Sequence, residues 1–269
     1  MARRARKVHV QTELSLRTYD KNHQLRGGKR EGAGRKPNGP SAMAPHDSRP
    51  VIDRRHPQHV TIRVTAAVGW LRRLDTYTAV RRALRVVIAK RHATFRIVHV
   101  SVQNTHIHLI CEADDKDSLS SGLRSFQISA AKQLNAAISR RRRLPRRRKG
   151  QVFTDRYHAE DLGTPGQVRN AIAYVLNNWR RHTVDRDALF TLAGGRLDPY
   201  ASGRTFVGWR ETIPPPSDDD PPDGYAVPEV SEPATWLLRA GWTKSRKEIS
   251  VFEVPASRTR RARAPIAHA

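Results

Sequence analysis

The chain has 269 residues, enough to bury a real core in one large domain or two small ones, and its 50 Lys and Arg outweigh 25 Asp and Glu to leave a formal charge of +25. A single cysteine, Cys111, excludes an internal disulfide framework and the multi-cysteine zinc sites. With no long apolar run and no basic amphipathic helix carrying Trp or Phe, a membrane partner is disfavoured, and nucleic acid is the polyanion expected.

In chain order, residues 1–57 read as a disordered, DNA-contacting basic arm. The stretch from Arg26 to Pro37 is Gly-rich, basic and short of large apolar residues, so it cannot form a core. Its end, Gly34-Arg35-Lys36-Pro37, resembles an AT-hook, which would lay Arg35 and Lys36 along a narrow minor groove. A flexible basic tail without groove preference fits the same residues. The N-terminus lacks the apolar stretch of a secretion signal, so a reducing, cytoplasmic setting is expected.

Order is expected from His59, where Val60, Ile62 and Val64 alternate with Thr61 and Arg63 as in a half-buried strand. A helix is predicted over 76–91, with Val80, Ala83, Leu84, Val87 and Ile88 on one face. Phe95 to Glu112 reads as two strands or one strongly bulged strand, broken at Gln103-Asn104-Thr105. Val98, Val100 and Val102 should share one face before the break, and Ile107, Leu109 and Cys111 one face after it. Cys111 is read as a small buried apolar residue.

A second helix is predicted from Ser118 as N-cap, with an apolar stripe from Leu119 to Ile138. It should end in the run Arg140 to Gly150, where like charges repel and Pro145 breaks the ladder. A strand follows over 151–162. Thr164-Pro165 then opens a third helix that reaches about His182. The order describes an α+β fold, a mainly antiparallel sheet sandwiched by helices. Residues 184–269 read as a C-terminal extension, with a Pro- and Asp-rich linker at 214–233 and a basic tail. Its segment Ala234 to Trp242 is apolar enough to pack back on the domain at 58–183, with Trp236 and Trp242 as packing anchors.

Three features converge on one site. In Thr105-His106-Ile107-His108, side chains two apart on a strand point to the same face, so both imidazoles can reach one metal ion. Taken alone, the pair is a weak signal and is better explained as two histidines on a polar sheet face. On the third helix, at about 100° per residue, Val168, Ile172, Val175, Leu176 and Trp179 form the core stripe. Tyr174, Asn178 and Arg181 fall on another side, with Asn178 one turn beyond Tyr174. An amide oxygen suits Mg²⁺ or Mn²⁺, and imidazole suits Mn²⁺ and later metals. The third feature is the arginine run, in which Arg141, Arg142, Arg143, Arg146, Arg147 and Arg148, together with Arg181, are the candidates for DNA contact; a solvated loop is the plain alternative. Together these parts suggest that a divalent ion on His106, His108 and Asn178 polarises a phosphate while Tyr174 attacks it.

His106-Ile107-His108 resembles the His-hydrophobic-His motif of the HUH endonuclease superfamily. Tyr174-Val175-Leu176-Asn177-Asn178 is similar to the helix that, in that family, carries one catalytic tyrosine with a metal-binding Gln or Asn four residues later. Gln151 to His158 resembles the Gly-x-hydrophobic-x-x-Arg-Tyr/Phe segment that precedes this helix. The order of elements over 59–182 is similar to that of the single-tyrosine transposases of bacterial insertion sequences, especially the group tied to repetitive extragenic palindromes. The resemblance implies an HUH, ferredoxin-like fold and a divalent metal cofactor, Mg²⁺ or Mn²⁺. It implies single-stranded or hairpin DNA as substrate, a 5′-phosphotyrosine intermediate, and a nucleoid-associated place in a bacterial cytoplasm. Asn178-Trp179 stands where that group usually has Asn-Pro; without proline the helix can continue, which makes Trp179 core. A domesticated DNA-binding protein on the same fold, or an RNA-binding protein, would share the charge but not depend on Tyr174. Assembly of the site within one chain and a swap through a homodimer read identically in sequence.

Overall fold

A computed structural model of the chain describes residues 50–91, 93–183, 197–212, 225–245 and 247–255. Residues 1–49 of the expected arm, with Arg35 and Lys36, and the C-terminal basic tail lie outside the described residues. Residues 50–57, expected to be disordered, are instead tied to the domain by Ile52 packing on the core and by His56 bonding to Asp161 at 2.9 Å.

Four strands, β1 (Gln58–Arg63), β2 (Phe95–Val102), β3 (His106–Ala113) and β4 (His158–Asp161), form one antiparallel sheet in the order β2-β3-β1-β4. Strand alternation sorts the sheet into two unlike faces. On one face Val60, Ile62, Ile107, Leu109 and Cys111 are fully buried. They pack under α1 (Leu74–Arg91) and α2 (Lys116–Arg141), whose stripes of Val80, Leu84 and Val87 and of Leu123, Phe126 and Leu134 complete the main core. Gly122 lets α2 settle on the ring of Phe95, since a Cβ at that position would overlap it. The other face carries His59, Thr61, His106, His108, Ile110 and Glu112, and is covered by α3 (Pro165–Thr183).

Several expectations change in detail. The helix expected to be capped by Ser118 is capped by Asp115, whose side chain accepts from the Ser118 amide at 2.7 Å; the first turn therefore begins at Lys116. Val98 does not share a face with Val100 and Val102. A bulge between Ile97 and His99 turns it to the α3 side, where it packs with Ile110 and Ile172. The strand expected over 151–162 is reduced to β4 and one isolated bridge, Phe153 to Val64.

The end of α2 explains how an arginine run can close a helix. The Arg143 amide bonds to the Arg140 carbonyl and the Leu144 amide to that of Ser139, with Arg143 at φ 50 where glycine is usual. The start of α3 is as expected: the Gln167 amide donates to Thr164 Oγ1 at 3.3 Å while Gln167 Oε1 accepts from the Thr164 amide at 3.0 Å. The helix runs on past Asn178, and Trp179 is 3% exposed.

The described parts of the extension lie against the domain. Residues 225–233, expected as linker, make specific contacts: Tyr225 packs with Tyr77 and Tyr200, and the Ser231 amide bonds to the Ile97 carbonyl. Glu112, buried at the end of β3, accepts from the amides of Ala234 and Thr235 at 2.8 and 2.7 Å. The short α4 (Trp236–Arg239) then buries Leu237 and Leu238 against α3. Trp242 packs on Phe206 as an anchor, but Trp236 is largely exposed. Residues 247–253 clasp α3 from outside. Arg169 reaches the carbonyls of Lys247 and Glu248 and the Glu253 carboxylate, Asn177 donates to the Ser250 carbonyl, and Arg180 to that of Val251. Among the described residues no helix is long and apolar enough to cross a membrane.

Candidate active site

The polar face of β1 and β3 and the inner side of α3 enclose one cluster. His106 and His108 come from alternate positions of β3, and their ring centroids stand 4.7 Å apart with planes nearly perpendicular. Tyr174 lies on α3 above them, its ring 5.2 Å from that of His108 and edge-on to it. The three residues that sequence alone could only place on two separate elements therefore meet within one chain.

Each histidine is held by its neighbours. Thr61, register partner of His108 on β1, puts its hydroxyl 3.2 Å from His108 Nδ1, and Thr105 Oγ1 lies 3.2 Å from His106 Nδ1. His108 is 4% exposed, so its orientation is set by the protein and not by solvent. With Nδ1 engaged on the strand side, Nε2 is the nitrogen that His108 would offer to a ligand.

Asn178 follows one turn after Tyr174 and is 1% exposed. Both its amide oxygen and its amide nitrogen are buried without a hydrogen-bond partner among the described residues. Such a group costs about 1 to 3 kcal/mol when left unsatisfied, so the amide is open to a partner beyond the described residues. Two imidazoles and an amide oxygen make a borderline-to-hard donor set, which fits a divalent ion such as Mn²⁺ or Mg²⁺. The set has only two members drawn from His, Cys, Asp and Glu. Among the described residues, no group of three or more such side chains is placed to hold a metal.

Sequence reasoning took His59 only as the start of order. It stands on the same face of β1, 4% exposed, with Nε2 3.2 Å from His108 Nδ1 and its ring 5.7 Å from that of Tyr174. The alternation that sends Val60 and Ile62 to the core was the available signal, since it sends His59 and Thr61 to the histidine face. Arg63 shares that face and is the register partner of His106, so it sets an exposed cation at the open end of the cluster. Beside Tyr174 and His59 a cleft of about 340 Å³ opens, lined also by Glu160 and Asn170.

The arginine run is divided by its contacts. Arg141 is paired with Asp75 of α1 at 2.8 Å, and Arg147 and Arg148 bond back to α2, Arg148 bracing Asn135 and the carbonyls of Gly150 and Gln151. Arg142, Arg143 and Arg146 are exposed. The turn lies at the same end of the sheet as His106, because Thr65 and Thr154, on either side of the β1–151–154 seam, bond to Val152 and Arg63, and Arg63 faces His106. The side chain of Arg181 is outside the described residues.

A family model described as "Transposase IS200 like" matches residues 59–178, from the histidine of β1 to the asparagine of α3. No curated protein matches the sequence. Among solved structures the chain is similar to one described as "Structure of the REP associates tyrosine transposase bound to a REP hairpin". That similarity is at 19% identity and a TM-score of 0.39, over 52% of this chain and 74% of the other.

Proposed function

We propose, from the match of residues 59–178 to the IS200-like transposase family model, that the chain cleaves and rejoins single-stranded or hairpin DNA through Tyr174. The observation that carries this reading is the tyrosine ring seated on the histidine pair, 5.2 Å from His108. Tyr174 also packs against the cluster that holds Val168, Ile172 and Leu176, but packing alone does not call for a ring set over two imidazoles on a strand.

In this reading the Tyr174 phenol oxygen attacks the scissile phosphorus. A new P–O bond forms to the tyrosine, the bond to the 3′ oxygen breaks, and the phenolic proton is carried to the departing 3′ hydroxyl in net balance. The DNA 5′ end is left on the enzyme, and a second 3′ hydroxyl can reverse the step, so the phosphodiester energy is kept for rejoining. His106, His108 and Asn178 would hold a divalent cation, which, when bound, supplies Lewis-acid stabilisation of the phosphate oxygens. The burial of His108 and Asn178 excludes water from that side and fixes their donor atoms before substrate arrives. Arg63 is placed to meet a phosphate at the exposed end, and the arginine turn would hold flanking phosphates there.

Covalent capture tests the proposal: labelled single-stranded hairpin DNA, with Mg²⁺ or Mn²⁺, run beside Tyr174→Phe. The expected result is a denaturation-resistant adduct that disappears in EDTA and in the variant. DNA binding with no adduct, across varied hairpins and both metals, would leave a non-catalytic DNA-binding protein on this fold. A preference for RNA with no adduct would leave an RNA-binding one.

A further inference from the structure

We propose that His59 is a positioning residue of this site, holding at once the imidazole of His108 and the ring of Tyr174. The inference rests on the reading of His108 as a metal ligand and Tyr174 as nucleophile.

Three contacts converge on one side chain. His59 Nε2 lies 3.2 Å from His108 Nδ1, and the two rings are stacked at 5.3 Å with 28° between their planes. The His59 and Tyr174 rings meet edge to face, with centroids 5.7 Å apart and 68° between their planes. The residue is 4% exposed, and β1 is hydrogen-bonded on both sides, to β3 and to β4, so neither backbone nor ring has room to drift.

The chemistry of paired imidazoles gives this arrangement a direction. His108 can offer Nε2 to a cation only if its own proton sits on Nδ1. That N–H must then donate, and both His59 Nε2 and Thr61 Oγ1 stand 3.2 Å away as acceptors. Accepting at Nε2 requires His59 to keep its proton on Nδ1. With His59 as the acceptor each ring is held in one tautomer, and the ligating nitrogen of His108 is aimed before any cation binds. The same ring packs against the Tyr174 ring and lines a cleft with it, so a single residue ties the ligand to the nucleophile. His59 itself is oriented toward these two residues and acts through them.

The test uses the full-length chain with three substitutions. His59→Gln keeps an acceptor near the place of Nε2. His59→Phe keeps a ring against Tyr174 but removes the acceptor, and His59→Leu removes both. Mn²⁺ alone is titrated and free ion is followed by its EPR signal, with thermal melts to verify folding. Loss of an outer hydrogen bond to a ligating histidine weakens metal binding by about 10- to 100-fold. That loss is expected for Phe and Leu, with Gln within a few-fold of wild type. In the capture assay at saturating Mn²⁺, Phe should recover adduct formation and Leu should not. If Phe fails to fold, Leu takes its place in the metal titration. Unchanged Mn²⁺ affinity in the Phe or Leu variant overturns the inference. So does a Gln variant as weak as Phe, or a wild-type chain that binds no Mn²⁺. If the affinity pattern appears but wild type forms no adduct, the positioning role stands and the nuclease reading falls.

Discussion

At the scale of single residues, the site holds groups that make poor sense in a protein optimised only to fold. Asn178 is the clearest, with a buried amide that finds no partner among the described residues. In metal-free buffer, Asn178→Leu should therefore be neutral or stabilising, by about 1 kcal/mol, while adduct formation is lost. Chemical denaturation in EDTA reads the first part, and a clear destabilisation would mean that the amide is satisfied in the free protein. His99 makes a different point. Burial on the α3 side of β2 lowers its pKa from 6.5 to about 4, beside the Ser202 hydroxyl. Between those values the unfolded chain binds the proton more readily, so stability is full above about pH 6.5 and falls as pH drops toward 4. The loss amounts to roughly 3 kcal/mol, and His99→Phe should flatten that part of the stability-against-pH curve.

At the scale of elements, α3 matters most, because it sets Tyr174 over the histidine face of the sheet and, in the proposed reading, must hold Asn178 one turn further on. Its start is closed by the Thr164–Gln167 box, and its outer side by residues 247–253. Arg169 is the center of that clasp, buried and bonded to Glu253 and to two backbone carbonyls. Arg169→Leu should cost roughly 2 to 3 kcal/mol, as expected for a lost set of charged hydrogen bonds. It should also slow adduct formation more than it weakens DNA binding, because the helix, not the DNA-facing surface, loses its support. Equal losses in both assays would place Arg169 in the DNA interface. Periodicity had already drawn α3 with its apolar stripe and its polar residues apart. It could not show that both sides are covered, one by the sheet and the other by a segment from far along the chain.

At the scale of the whole molecule, the charge of +25 acts through where it is exposed. Arg141, Arg147 and Arg148 bond back to the fold, Arg147 through one donor while exposed, whereas Arg142, Arg143 and Arg146 are exposed at the end of the sheet nearest His106. Changing those last three to Gln should lower affinity for single-stranded DNA uniformly across sequences. The slope of log affinity against log salt should drop by about 2, from about 0.7 per phosphate contact, with melting temperature little changed. Arg141→Gln should instead lower stability, through its lost pairing with Asp75. An undiminished salt slope in the triple variant would make this turn a solvated loop.

What the sequence by itself determined was everything governed by local period and chemistry. The antiparallel α+β order, the His106–His108 pair on one strand face, and Tyr174 with Asn178 one turn apart all follow from spacings of two and four. The continuation of α3 through Trp179 follows from the missing proline. The tertiary structure alone decided which of these would meet. Tyr174 sits over His108 because α3 covers the polar face of the sheet, and His59 joins them because β1 lies between β3 and β4. It also turned Val98 to the α3 side through a bulge, replaced Ser118 by Asp115 as the cap, and drew residues 225–233 onto the domain. Those outcomes depend on strand order and on hydrogen bonds between distant segments, and no local periodicity encodes either.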